Sequence, residues 1–432
     1  MAENNQDPLK EIRRFQKDNE LCMKCGFCMS SCPIYREELV ESAVARGRNA
    51  LVRSLVRGEI GFSHEYEDRI DKCTLCKNCT ANCPAHVEIP SVVIAARADK
   101  FRKLGLKFPY NLIYRSVLPR RVLFGKMVKL AGQAQKLVFP HGEGTLRHLP
   151  LFLSGMGAGR HIPQVSSQFL RQRIPVVNSP PPGTPVKFQV GYMTGCMTDY
   201  VFPEMGLKII QFSNRHGVEV VVPREQGCCG APVFMGAGDF ETGRKMADIN
   251  VRAFQELEYV IVDCATCGSS MKEYEKYLAD NEVRREIYPK FAGKLIHITS
   301  FLTDVLKLPE DAYQAVDSVK GQTVTWHDPC HLVRYMGVRE QPRKILKALK
   351  EINFVEMNEA DRCCGMAGSF SIKYYDLSQK IAERKLQNIR DTQADIVVTG
   401  CPGCQIQLMD VIAHHQLPIK VMNIMELLST NK

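Results

Sequence analysis

The chain has 432 residues, 45% of them apolar and 24% charged, with 57 Lys or Arg against 47 Asp or Glu. This is an ordinary composition for a folded protein of two or three domains. No run approaches the roughly 18 consecutive apolar residues of a spanning helix, and residues 1–10 are polar, unlike a secretory leader, so the expectation is a cytoplasmic protein that does not cross a bilayer by itself.

All eighteen cysteines fall into four spaced clusters. The first two read Cys22-x2-Cys25-x2-Cys28-x3-Cys32-Pro33 and Cys73-x2-Cys76-x2-Cys79-x3-Cys83-Pro84. Each is a ferredoxin run, in which three thiolates hold one 4Fe-4S cube and the fourth reaches across to the other. Cys22, Cys25, Cys28 and Cys83 are therefore assigned to one cubane, and Cys73, Cys76, Cys79 and Cys32 to its neighbour. Without export, paired disulfides are the weaker reading, and a tetrahedral zinc site has no need of three x2-spaced cysteines followed by x3-Cys-Pro. Between the runs, Val40, Val44, Leu51, Leu55 and Val56 recur at helical spacing and predict a helix over 39–59, with another over 90–104. Residues 1–104 thus read as a helical ferredoxin domain rather than a compact strand-rich one.

A connector over 105–185 follows. From Lys100 to Pro185 there are fourteen Lys or Arg and a single acid, Glu143. The basic residues are interleaved with Leu104, Phe108, Tyr110, Leu112, Tyr114, Leu118, Leu123, Phe124 and Val128. That mixture favours a membrane face or a partner subunit over nucleic acid; the plain alternative is a solvated basic face over the protein's own core. The Pro-rich stretch 179–185 reads as a linker.

Beyond the linker the chain repeats with a period of about 135 residues. Predicted strands over 186–193, 218–222, 259–262 and 294–298 are matched by strands over 322–326, 354–357, 395–398 and 419–422. Strand alternating with helix implies parallel βαβ units, giving an α+α/β chain with two α/β modules at 186–310 and 320–432. Cys196, Cys228, Cys229, Cys264 and Cys267 belong to the first module, and Cys330, Cys363, Cys364, Cys401 and Cys404 to the second. Each lies just past the carboxyl end of a strand, where open α/β sheets assemble ligand sites. Five thiolates exceed the four that a cubane takes, so either one is spare or the cluster is not a cubane. Gly230 and Gly365 follow the vicinal pairs and can adopt backbone conformations closed to other residues. Helices near 239–257 and 376–392 could aim their N-terminal dipoles at an anionic cluster, and His327 and His331 flank Cys330 in reach of second-layer hydrogen bonding.

Two ferredoxin runs followed by two "CCG" modules resemble the iron-sulfur subunit of bacterial glycolate oxidase and D-lactate dehydrogenases. The likeness includes Cys25-Gly-Phe-Cys28, Arg46-Gly-Arg48, Gly227-Cys-Cys-Gly-Ala-Pro232 and His327-Asp-Pro-Cys-His331. One of the subunits of anaerobic glycerol-3-phosphate dehydrogenase is similar in layout, as is the catalytic subunit of heterodisulfide reductase. The resemblance implies two cubanes and one or two further non-cubane 4Fe-4S clusters on the five-cysteine sets. No G-x-G-x-x-G or P-loop fingerprint is present, so FAD is expected only on a partner subunit, with a quinone or another carrier as electron acceptor. The expected role is electron transfer within a glycolate- or lactate-type dehydrogenase, peripheral contact with the inner membrane face included. A heterodisulfide-reductase-like catalyst and an adaptor shared by several flavoproteins are the alternatives.

Overall fold

A computed structural model describes residues 7–138, 144–145 and 160–430; Glu143, the lone acid of the basic segment, lies outside them. The N-terminal part is helical throughout, around α1 (Ala45–Val56), α2 (His64–Asp71) and α3 (Ile89–Leu104). The predicted helix over 39–59 is shorter than its spacing suggests. Leu39 takes φ 54° and closes the helix Pro33–Glu38, a 3-10 turn occupies Glu41–Ala43, and Val44 is extended before α1 begins. A close approach explains the break: a Cβ at Gly47 would stand 2.0 Å from the Glu41 carbonyl oxygen, so the turn is laid directly on the first turn of α1. Buried Arg97 of α3 then ties this part to the rest. Its guanidinium donates to the carbonyls of Ile70, Asp71 and Cys73, and to that of Met235 in the first α/β unit.

In the connector, α4 (Arg121–Val138) packs inward through small residues. A Cβ at Gly132 would meet Val165 at 2.9 Å, and one at Gly125 would meet Tyr200 at 3.6 Å. Phe124 also packs inward, on the Tyr200 ring at 5.4 Å, whereas other apolar residues face outward: Val122 is 76% exposed and Leu130 67%, with Leu123 and Met127 also exposed. The segment thus lies partly over the protein's own core, with Tyr114, Val117 and Leu118 buried, and partly presents apolar residues outward. Among the described residues no helix is long and apolar enough to cross a membrane.

The two α/β units share one strand plan. The first sheet holds β1 (Val177–Asn178), β2 (Phe188–Met193), β3 (Val218–Val221), β4 (Tyr259–Val262) and β5 (Leu295–His297), in the order β1-β3-β2-β4-β5. The second holds β6 (Thr323–His327), β7 (Asn353–Val355), β8 (Ile396–Thr399) and β9 (Lys420–Asn423), in the order β9-β8-β6-β7. All pairings are parallel except the edge strand β1, which runs antiparallel to β3. The central strands are buried on both faces, as helix-covered parallel sheets require, and β4 and β8 accordingly read as the apolar runs Tyr-Val-Ile-Val and Ile-Val-Val-Thr. Around them lie α5 (Cys196–Tyr200), α6 (Pro203–Arg215), α7 (Phe240–Ala253), α8 (Ala265–Lys272), α9 (Cys330–Met336), α10 (Glu340–Ala348), α11 (Tyr375–Asp391) and α12 (Pro402–His414).

Candidate metal centres

Each ferredoxin run wraps a short helix. Lys24 and Gly26 of the first run, and Leu75 and Lys77 of the second, take positive φ, folding the chain so that x2-spaced thiols turn to one side. A cavity of about 30 Å³ is lined by Cys22, Cys25, Cys28, Cys79 and Cys83, so the fourth cysteine of the second run sits with the first three of the first. A neighbouring cavity of about 20 Å³ is lined by Cys32, Cys73, Cys76 and Cys79. Arg46 borders the first cavity and donates to the Lys24 carbonyl at 3.0 Å, while Arg48 is buried and holds the Arg69 carbonyl at 2.7 Å. The Arg-Gly-Arg motif is thus a brace beneath the first run.

In the α/β units the cysteines open helices. Cys196 and Cys330 are the first residues of α5 and α9; Cys264 and Cys401 immediately precede α8 and α12. Cys264 Sγ accepts from the Cys267 backbone N–H at 3.4 Å. The helices near 239–257 and 376–392 reach the vicinal pairs through side chains. The first turn of α7 is capped by its own Asp239, and it is third-turn Asn250 that reaches the loop, accepting from Gly227 N at 2.8 Å and donating to Cys228 O at 3.0 Å. Only α11 brings a first-turn residue, Ser378, to the pair, through the Gly365 carbonyl at 3.0 Å. Gly365 needs its freedom: φ is +92°, and a Cβ there would stand 2.6 Å from the Ser378 carbonyl oxygen. Gly365→Ala, at a cost of roughly 1–3 kcal/mol of local strain, is expected to strip metal from the second set while sparing the ferredoxin runs, as metal analysis of the anaerobically purified variant would read.

The two five-cysteine sets, separate in sequence, meet in space. Cys264 Sγ lies 3.9 Å from Cys401 Sγ, and Thr266 Oγ1 3.7 Å from the same sulfur. The ferredoxin part touches the second set, since Cys76, Cys330 and Cys363 pack as one buried group. A cavity of about 210 Å³ is walled by Cys330, Cys363, Cys364, Cys401 and Cys404, with Cys73 of the ferredoxin part and Ala231 and Met235 of the first unit. The order in space runs from the first ferredoxin run to the second through the shared Cys79, to the second set through Cys76, and to the first set through Cys401.

Electrostatics fit this array to a metal with soft thiolate ligands. No cysteine is paired in a disulfide. Burial pushes Cys76 up to about 12, so a metal must displace protons to bind there. The Cys330 thiol, by donating to Cys363, holds Cys363 down to about 7. Buried cations stand beside the thiols: Arg121 donates to the carbonyls of Gly227 and Thr194 and pairs with Asp199 at 2.9 Å, drawing the Cys196 thiol down alongside its hydrogen bond with Cys228. Arg334, paired with Asp361 at 3.0 Å, stands beside Cys330, but there the hydrogen bond to Cys363 and burial prevail and push the thiol well up. Arg121 belongs to the basic segment, and nothing in the sequence marks which of its fourteen cations turns inward. Of the two histidines, His331 is half-buried, held by Ser269 Oγ at 2.6 Å and stacked on Tyr335 at 4.5 Å, and its loss of hydration pushes it down to about 4. A ring nitrogen of His327 and the sulfurs of Cys364 and Cys404 all lie within 4.8 Å of one another.

Comparison with known proteins agrees with this layout. A 4Fe-4S dicluster domain model matches residues 18–87, and a cysteine-rich domain model matches 190–272 and 324–409. The chain is 31% identical over 426 residues to the probable glycolate oxidase iron-sulfur subunit of Bacillus subtilis, covering 95% of this chain and 93% of that one. It is 27% identical over 423 residues to a subunit of the fumarate reductase (CoM/CoB) of Methanothermobacter marburgensis, covering 94% of this chain and 71% of that one. Lactate utilization protein A of Oceanobacillus iheyensis is 32% identical over 244 residues, 56% of this chain and 98% of that one.

Proposed function

Because the chain belongs to the family of the glycolate oxidase iron-sulfur subunit, we propose that it is the electron-transfer subunit of a flavin-dependent 2-hydroxy-acid dehydrogenase of the glycolate or lactate type. It is an iron-sulfur protein with multiple 4Fe-4S clusters. Bound clusters supply one-electron chemistry at potentials tuned by burial, hydrogen bonds to sulfur and ligand identity. In this proposal Cys22, Cys25, Cys28 and Cys83 hold one cubane and Cys73, Cys76, Cys79 and Cys32 the next. Cys330, Cys363, Cys364, Cys401 and Cys404 hold a third cluster and Cys196, Cys228, Cys229, Cys264 and Cys267 a fourth. The same reading divides the chain at 1–104, 105–185, 186–310 and 320–432. The observation that carries it is the approach of the cysteine groups to one another, Cys76 against Cys330 and Cys363, and Cys264 against Cys401. A partner subunit holds the FAD and oxidises the substrate, and a quinone or another carrier takes the electrons. Co-purification of the native complex tests this: glycolate or lactate is expected to bleach the iron-sulfur absorption of the complex and leave the isolated chain unchanged. Bleaching of the isolated chain, or a partner without flavin, would reject it.

The outward apolar stripe of α4 is proposed to rest on an anionic lipid surface. Exposed Leu130, Met127 and Val122, together with Phe108 at 82% exposure, lie beside Lys107, Lys126 and Lys129, for which no carboxylate stands within ion-pair distance among the described residues. An apolar face flanked by lysines suits the headgroup boundary of an acidic membrane. Vesicles of phosphatidylcholine and phosphatidylglycerol are expected to co-sediment the protein at low salt, and Met127→Glu with Leu130→Glu to weaken this at least tenfold. Equal binding to pure phosphatidylcholine, or none to either, would give this surface to the partner subunit.

One observation favours a second reading, a reductase acting on a disulfide. The cavity of about 210 Å³ brings the second set to an enclosed space shared with the first unit. Turnover of a disulfide by the isolated chain with a one-electron chemical reductant would establish it; no turnover would remove it.

A further inference from the structure

The two cysteine sets are built on one repeat, so positions that differ between them reveal what is special to each. Asn250 is the eleventh residue of α7 and Lys385 the eleventh of α11. Asn250 is satisfied by the main chain around Cys228 and by the Tyr274 hydroxyl. Lys385 is 0% exposed, and its ammonium donates only to main-chain oxygens, Glu359 O at 2.6 Å and Ala360 O at 3.1 Å, and to the Met357 sulfur at 3.7 Å. Among the described residues no carboxylate pairs with it, and the two oxygens that hold it belong to the loop that leads into Cys363 and Cys364.

A second difference lies on the neighbouring strand. His327 ends β6 opposite Thr399, on the rung where β2 places Met193 opposite Val262. The imidazole is 0% exposed and neither ring nitrogen has a hydrogen-bond partner. The Ala360 carbonyl beside it already accepts from Asp328 N at 3.0 Å and from Lys385, which uses both its lone pairs. Beside that shared carbonyl, the ring faces the sulfurs of Cys364 and Cys404. An unsatisfied buried donor costs about 1–3 kcal/mol, and a buried unpaired ammonium costs more. The imidazole stands against the thiols and the ammonium on the loop that delivers them, and the first set has neither. An anion held between them would relieve both.

Building on the proposed ligation by Cys330, Cys363, Cys364, Cys401 and Cys404, we propose that His327 and Lys385 form a donor pair facing the anionic iron-sulfur group of the second set. The imidazole N–H points to its sulfurs, the ammonium charge stands behind Cys364, and together they hold its reduction potential above that of the first set. The sign follows from charge: reduction adds one negative charge, and a nearby cation and hydrogen-bond donor favour the more negative state. Both are positioning residues for a group bound by cysteine.

Redox titration of the anaerobic full-length protein, followed by electron paramagnetic resonance, tests the pair. The reporter is the signal that Cys364→Ser removes. His327→Met and Lys385→Asn install the first set's residues. Together they are expected to lower that midpoint by at least tenfold in the reduction equilibrium, about 59 mV for one electron, with iron content and every other signal unmoved. Lys385→Arg keeps the charge and should keep the midpoint. An unmoved midpoint in the iron-replete double variant would overturn the proposal, as would loss of the signal in His327→Met alone, which would make the imidazole a ligand. A wild-type protein with no Cys364-dependent signal and only about eight irons would instead overturn the ligation beneath it.

Discussion

Cys401→Ser is expected to abolish the paramagnetic signal of the second cysteine set, to remove about four irons per chain, and to perturb the signal of the first set as well. Cys401 is the thiol on which the two sets converge: it is 1% exposed, contacts Cys264 at 3.9 Å and accepts from Cys264 and Cys404, which hold it well below the ordinary thiol range. A serine hydroxyl at that place stays protonated and binds iron poorly, leaving a gap in the middle of the series. Cys25→Ser is the matched control. Cys25 is exposed at the far end of the first ferredoxin run, so its loss should cost one ferredoxin signal and leave both sets intact. Cys401→Ser protein with unchanged iron and unchanged signals would show that the convergence carries no metal.

Arg343→Met should destabilise the second α/β unit by about 3–5 kcal/mol, because it leaves a buried carboxylate uncompensated. Asp328 is 0% exposed, accepts from Trp326 Nε1 at 2.6 Å, and is paired with Arg343 at 2.7 Å; Arg343 in turn meets Glu356 at 2.7 Å. The carboxylate sits two residues before Cys330, so this ion pair fixes the loop that delivers the thiol. The expected readout is a lower urea midpoint with loss of iron from the second set. Asp328→Asn combined with Arg343→Met should recover part of the stability, since the combination leaves no buried charge. A single variant as stable as wild type would show that Asp328 is satisfied without its arginine.

How far the sequence reveals these features depends on whether they are local. The x2 spacing of thiols and the apolar runs of β4 and β8 are local, and they announced both the ferredoxin runs and the paired α/β units. The break between Leu39 and Ala45 was not legible, because it is forced by Gly47 lying against the Glu41 carbonyl while Val40 and Val44 still keep a helical interval. The edge strand Val177–Asn178 was hidden by the prolines around it; it is two residues long and pairs antiparallel with Val220 and Val221. The meeting of Cys264 with Cys401 links residues 137 apart in sequence and has no local signature at all. In α4, counting charges identified an amphipathic segment but not its orientation, which is set by Gly125 and Gly132 admitting Tyr200 and Val165 on the inner side.

Iron and acid-labile sulfide, counted per chain in anaerobically purified protein, test the central claim most directly. Four clusters joined through touching thiols predict about sixteen of each, with both falling by about a quarter in Cys401→Ser. A preparation that carries zinc in their place, or that holds its cysteines as disulfides, would contradict the claim outright.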